Sequence, residues 1–196
     1  MILDIFRRHV VGWLLAERES AELAEQLIAH TVSRHDVQAG MLTLHADRGA
    51  PMRSKPVAAL LVDLDITKNH SRPHVSDDNP YSELQFKTMK YRPDFPARFG
   101  CIKDARLHCQ EFFAWYNAEH RHSGIGYMTS QAVHYGHAQA LREARQVALG
   151  AAFRATPIRF KDQWSTPCDL PTAAWINAPA SETISPKSTS SCTANS

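Results

Sequence analysis

The stretch LHADRGAPMRSKPVAALLVDLDITKNHSRPHVSDDNPYSELQFKTMKYRPDFP, residues 44–96, decides how this chain is read. It begins inside a short strand-like run, Met41 to His45, and Asp47 follows just past that run in the loop HADRG. Ser54 and Pro56 then open a helix, with Val57, Leu60, Leu61 and Leu64 at i, i+3, i+4 and i+7. Ile66 to His70 reads as one more strand. After a polar, turn-rich stretch, Asn79 before Pro80 starts a second helix, since Asn caps well and Pro tolerates the first helical position. Pro93 blocks its continuation, so it is expected to stop around Arg92.

Two carboxylates stand out by position. Asp47 sits where a strand gives way to a loop, Glu83 sits in the first turns of a helix, and thirty-five residues lie between them. Lys87 follows Glu83 by four positions and Lys90 by seven. At roughly 3.6 residues per turn, positions 83, 87 and 90 share one narrow face. A carboxylate there can hold a divalent cation, and the lysines beside it can hold phosphates. Each residue also has a simpler reading. Asp47 before Arg48 and Gly49 suits a turn. Glu83 and Lys87 suit an exposed ion pair worth a few tenths of a kcal/mol. Asp77 and Asp78 suit loop solvation or a helix N-terminus, His45 a strand end, and Asn79 a cap. The joint spacing favours a site at Asp47 and Glu83.

Upstream, MILDIF (residues 1–6) and HVVGWLL (residues 9–15) read as an antiparallel hairpin around Arg7 and Arg8. Ser20 caps an amphipathic helix that ends near His35. The order ββαβαβ points to an α/β sheet with mixed strand directions. Downstream, a helix from about Ile102 to His120 buries Ile102, Ala105, Cys109, Phe112, Phe113 and Tyr116. Thr129 can cap a further helix that reaches about Ala152. Beyond about Phe160 the pattern fades, and the Ser- and Thr-rich end reads as disordered.

Composition excludes little. The chain has 196 residues, 43% of them hydrophobic and 21% charged, as in ordinary globular proteins, and the net charge of +2 is too small to argue for a nucleic-acid partner. From Lys87 to Arg121, however, seven basic residues meet four acidic ones. The four cysteines form no C-x-x-C pair, which fits a reducing cytosol better than a zinc site or a disulfide framework. His120-Arg121-His122 reads as a polar loop. No apolar run reaches the ~18 residues of a membrane span.

Segments ILDIF-RRHVVGW, LHADRGAPM-SK, HSRPHVSDDNPYSELQFKTMKYRPDFP and FFAWYNAEHRHSGIGY resemble the integrase-like DDE transposases of two-reading-frame bacterial insertion sequences, relatives of retroviral integrases. The resemblance runs over about residues 1 to 160. It implies a ribonuclease-H-like α/β fold, a mixed sheet flanked by helices, with a catalytic core at 1–122, a helical extension at 123–160 and a largely disordered tail at 161–196. It places Asp47 second and Glu83 third in an acidic triad, and gives Lys90, with Lys87 beside it, the DNA-contacting role.

Such enzymes hold two Mg²⁺ ions about 3.5–4 Å apart, which clamp the attacking and leaving oxygens of an in-line displacement. Water frees a 3′-OH, and that 3′-OH attacks a target phosphodiester. The implied partners are DNA, at the element ends and the target, and further transposase subunits, in the bacterial cytoplasm and without a membrane. The family's first aspartate lies on a central strand that would precede Met1. The chain is therefore expected to be an incomplete, inactive copy lacking that strand. The alternative is a non-catalytic DNA-binding fragment that inhibits intact transposase. Asp4 is expected to serve the hairpin rather than replace the first aspartate.

Overall fold

A computed structural model describes residues 1–72, 79–161 and 163–176. The chain opens with a hairpin, β1 (Ile2–Asp4) and β2 (His9–Gly12), paired antiparallel with Leu3 opposite Val10 and Asp4 opposite His9. Asp4 organises the turn. Its Oδ1 accepts from the backbone N–H groups of Phe6 and Arg7, each at 3.0 Å, and its Oδ2 pairs with the Arg7 guanidinium at 2.8 Å. Arg8 completes the turn at φ 60°, a left-handed conformation that a side-chain-bearing residue rarely adopts.

Helix α1 (Ala21–Arg34) starts as expected, with the Ser20 hydroxyl accepting from Leu23 N at 3.2 Å. It crosses β2 so closely that a Cβ on Gly12 would lie 2.1 Å from Thr31 Oγ1, so only glycine fits there. Strand β3 (Thr43–Ala46) then pairs in parallel with β4 (Thr67–His70), joined through α2 (Lys55–Asp63), whose N-cap is Ser54. Helix α3 (Pro80–Lys90) begins after Asn79, but the Asn79 side chain makes no capping bond. Helix α4 (Ile102–Ala118) begins with a box in which the Asp104 carboxylate accepts from Cys101 N at 3.1 Å.

Side chains alternate across a strand, and β1 uses that alternation to join two cores. Ile2 packs with Ile28, Val57, Leu61 and Ile66, the cluster of α1, α2 and β4. Leu3 packs on the other side with Val10, Phe112, Phe113 and Tyr116, the cluster of α4. The hairpin is thus sandwiched between α1/α2 and α4. The α/β class holds, and both strand directions occur. The strands of the described residues form separate two-stranded pairs, β1–β2, β3–β4 and the short β5 (Arg121–His122) with β6 (Met128–Thr129), rather than one continuous sheet.

The single helix expected from Thr129 to Ala152 is two. Thr129 does cap α5 (Ser130–His134), but Gly136 at φ 78° ends it, and α6 (Ala138–Ala155) follows. Glycine is the residue that accepts this left-handed stop. Residues 163–170 then run back along α6 without helix or strand. Trp164 packs near Gly150 and Phe153, Asp169 pairs with Arg142 at 2.5 Å, and Leu170 joins the third cluster of Ile125, Met128, Val133 and Ala138.

Candidate active site and nucleic-acid face

Asp47 stands one residue beyond β3, exposed, at the carboxyl end of the parallel pair. Open α/β folds put ligand-facing residues at such strand ends. The loop is tied to the end of β4 by Ser71 N donating to Ala46 O at 3.1 Å and Arg48 Nε donating to Ser71 O at 3.1 Å. The ring Nδ1 of His70 lies 3.2 Å from the Asp47 carbonyl oxygen. The Asp47 carboxylate also does turn work, accepting from Gly49 N at 3.3 Å. His45 lies within 3.3 Å of the Ser71 hydroxyl, so it supports this loop rather than merely facing solvent.

Glu83, Lys87 and Lys90 are all exposed on α3, as the spacing requires. The opposite face of α3 holds the helix in place. Gln85 is 1% exposed and Met89 packs into the α4 cluster. Tyr81, two residues before Glu83, is gripped from both sides. The Arg8 guanidinium lies 4.0 Å from its ring centroid, and its hydroxyl donates to Trp175 O at 3.2 Å. At the far end, Arg92 lies 4.0 Å from the Trp115 ring centroid and binds Asp94 through two bonds of 2.7 and 2.8 Å. The helix ends at Lys90 with Tyr91 as its C-cap, in line with the stop expected around Arg92 ahead of Pro93.

The structure therefore brings Glu83, Lys87 and Lys90 onto one face of α3 and sets Asp47 just past the end of β3. Asp77 and Asp78 lie outside the described residues. Oxygen donors such as Asp47 and Glu83 suit Mg²⁺. Yet among the described residues no group of three or more His, Cys, Asp or Glu side chains could hold a metal ion. These residues do not by themselves assemble the donor set that a two-metal site needs.

Residues 64–129 match the family model of the integrase core domain. Glu83, Lys87 and Lys90 fall inside that segment and Asp47 precedes it. The transposase for insertion sequence element IS904 of Lactococcus lactis subsp. lactis (strain IL1403) is 27% identical over 129 residues, which cover 64% of this chain and 49% of that protein. Over these residues the chain is similar to an integrase-like transposase. It spans about half the length of that curated relative. Two solved structures are similar to this integrase-like chain. The catalytic core domain of BIV integrase shares 17% identity at a TM-score of 0.48, over 70% of this chain and 85% of that one. The simian T-cell lymphotropic virus intasome, in complex with PP2A regulatory subunit B56 gamma, shares 14% identity at a TM-score of 0.44, over 61% of this chain and 41% of that one.

Sequence reasoning missed the side chains that hold this site. Arg8 was read only as a charged spacer in the hairpin, and nothing in a single sequence pairs it with Tyr81. Asn117, in the segment FFAWYN, clamps β2 instead of facing solvent. It accepts from Val10 N and donates to Val10 O, both at 3.0 Å.

Proposed function

We propose that this integrase-like chain binds DNA through the outer face of α3 and that, by itself, it does not join DNA ends. One observation carries the reading: Glu83, Lys87 and Lys90 stand exposed on one helix face inside the segment that matches the integrase core domain. Lysines on a fixed helix neutralise phosphates and release counterions, whatever the sequence of the duplex. Asp47 and Glu83 are two of the oxygen donors that divalent-cation chemistry uses, and the non-joining half of the reading rests on the resemblance, in which a further aspartate completes them. In that reading the chain adopts the ribonuclease-H-like arrangement, acts in the bacterial cytoplasm, and meets further transposase subunits on DNA.

The test uses the purified 196-residue chain and a fluorescent DNA duplex. Binding is expected in EDTA, to weaken with salt, to survive Glu83→Gln, and to fall several-fold in Lys87→Ala and Lys90→Ala. Absence of binding at moderate salt overturns the DNA reading. Mg²⁺-dependent joining of a pre-cut DNA end, lost in Asp47→Asn and Glu83→Gln, overturns the non-joining half and shows an active polynucleotidyl transferase instead.

A further inference from the structure

The outward face of α3 carries more than charge. At about 100° per residue, Lys90 stands some 20° to one side of Glu83 and Lys87 some 40° to the other. Phe86 comes next beyond Lys90, and Tyr91 and Leu84 come next beyond Lys87. All three are exposed, Phe86 by 42%, Leu84 by 59% and Tyr91 by 83%. Large apolar groups thus flank the charged stripe on both sides, where a merely solvated helix face would be polar.

The backbone of Tyr91 is anchored. Its N–H donates to Lys87 O at 3.0 Å, so its backbone caps the end of α3. The next residue, Arg92, is fixed by Trp115 and by the two Asp94 bonds, and Phe95 N closes the corner onto Arg92 O at 3.0 Å. A ring carried on an anchored backbone, four residues from one lysine and adjacent to another, has only its own side-chain rotation left to order on meeting a flat ligand.

We infer that this face takes unpaired DNA, with Lys87 and Lys90 on the backbone phosphates and Tyr91, aided by Phe86, stacked on exposed bases. A basic track interleaved with aromatic rings is the chemistry that recognises single strands, because every base offers a π-face. A duplex shows its phosphates to the lysines but keeps its bases stacked away from the rings. The inference rests on the proposed DNA-binding role of α3 and deepens it by naming the strand state.

The test compares a labelled oligothymidylate with a duplex of equal length, by fluorescence anisotropy in EDTA across a salt series. Wild type is expected to prefer the single strand. Tyr91→Ala is expected to lose roughly 5- to 150-fold on the single strand, the range of base–aromatic stacking, while the duplex affinity and the salt slope stay unchanged. Tyr91→Phe is expected to keep wild-type affinity, since the ring and not the hydroxyl does the stacking. Lys87→Ala and Lys90→Ala are expected to lower affinity and salt slope on both DNAs. Tyr91 is exposed, so its variants should melt as wild type does, and thermal unfolding by circular dichroism checks this. If the lysine variants weaken binding but Tyr91→Ala does not, or weakens both DNAs equally, this inference falls and the DNA reading of α3 survives. If neither the lysines nor Tyr91 matters, both fall together.

Discussion

At the scale of single side chains, the carboxamide of Asn117 does the work of a neighbouring strand at one residue: it gives and takes one hydrogen bond at Val10, pairing that residue's outward backbone groups. Ser130 supports it from behind by donating to Asn117 Oδ1 at 3.2 Å, and the same hydroxyl lies 3.3 Å from His9 Nδ1. His9 in turn stacks on His134, ring centroids 4.3 Å apart, with His35 edge-on to His134 at 5.4 Å and Asp4 3.8 Å from it. Burial, then repulsion from His134 and His35, pushes the His9 pKa down to about 4, against the opposing pull of Asp4. His122 is pushed to about 4 as well, mainly by burial. Both histidines bind a proton less readily folded than unfolded, so the unfolded chain holds more protons between pH 6.5 and about 4. Their stabilising neutral state is complete above pH 6.5 and is lost as pH falls toward 4, by up to about 1.4 kcal/mol per pH unit for each group. Urea midpoints should therefore fall steeply from pH 6.5 to 4.5. His9→Gln should flatten that slope in part, leaving the share due to His122 and to His120 and His134, whose pKa values burial also lowers. An unchanged slope in the variant would show that His9 does not titrate in this way.

Elements were the most legible level of the sequence, and their anchoring the least. Ser20, Ser54 and Thr129 cap the helices they were expected to cap, because capping depends on residues within one turn. Asn79 marks a helix start without bonding to it, and the α5–α6 break was missed although Gly136 was there to signal it. The placement of α3 depends on partners far along the chain. Arg8, in the strained turn of the hairpin, meets Tyr81 seventy-three residues later, and Tyr81 opens the helix that carries Glu83. A planar guanidinium stacks on a ring in a way an ammonium does not match. Arg8→Lys, which keeps the charge, should therefore loosen the first turn of α3. Hydrogen exchange at residues 81–86 is expected to quicken several-fold while α1 and α2 stay as in wild type. Equal exchange in α3 would mean that the packing of Met89 into the α4 cluster suffices to hold it.

For the whole molecule, the spacing in the sequence placed Asp47 at a strand end and Glu83 on a helix face correctly, because both positions follow from local pattern. Whether distant carboxylates meet depends on how the elements pack, and no spacing rule reports that. The packing itself has an uneven character. A two-stranded pair is marginal in water without a covering layer, and the strands of the described residues come only in such pairs. Stability must then reside in the helices that cover them. Helix α4 has the strongest claim. Phe112, Phe113 and Tyr116 are buried on it, it packs against β2, α5 and β6, and it supplies Asn117 to the hairpin. The β3–β4 pair has less cover, since Thr43, Thr67 and Asn69 are exposed. Native-state hydrogen exchange should accordingly be graded, with α4 amides opening only in global unfolding and β4 amides through a smaller, local opening. Weak denaturant should merge the α4 amides with the global transition first, while β4 exchange stays nearly independent of it. If β4 amides exchanged at the same free energy as α4, the strand pairs would be part of one cooperative unit with the helices, and the helix-borne account of stability would be wrong.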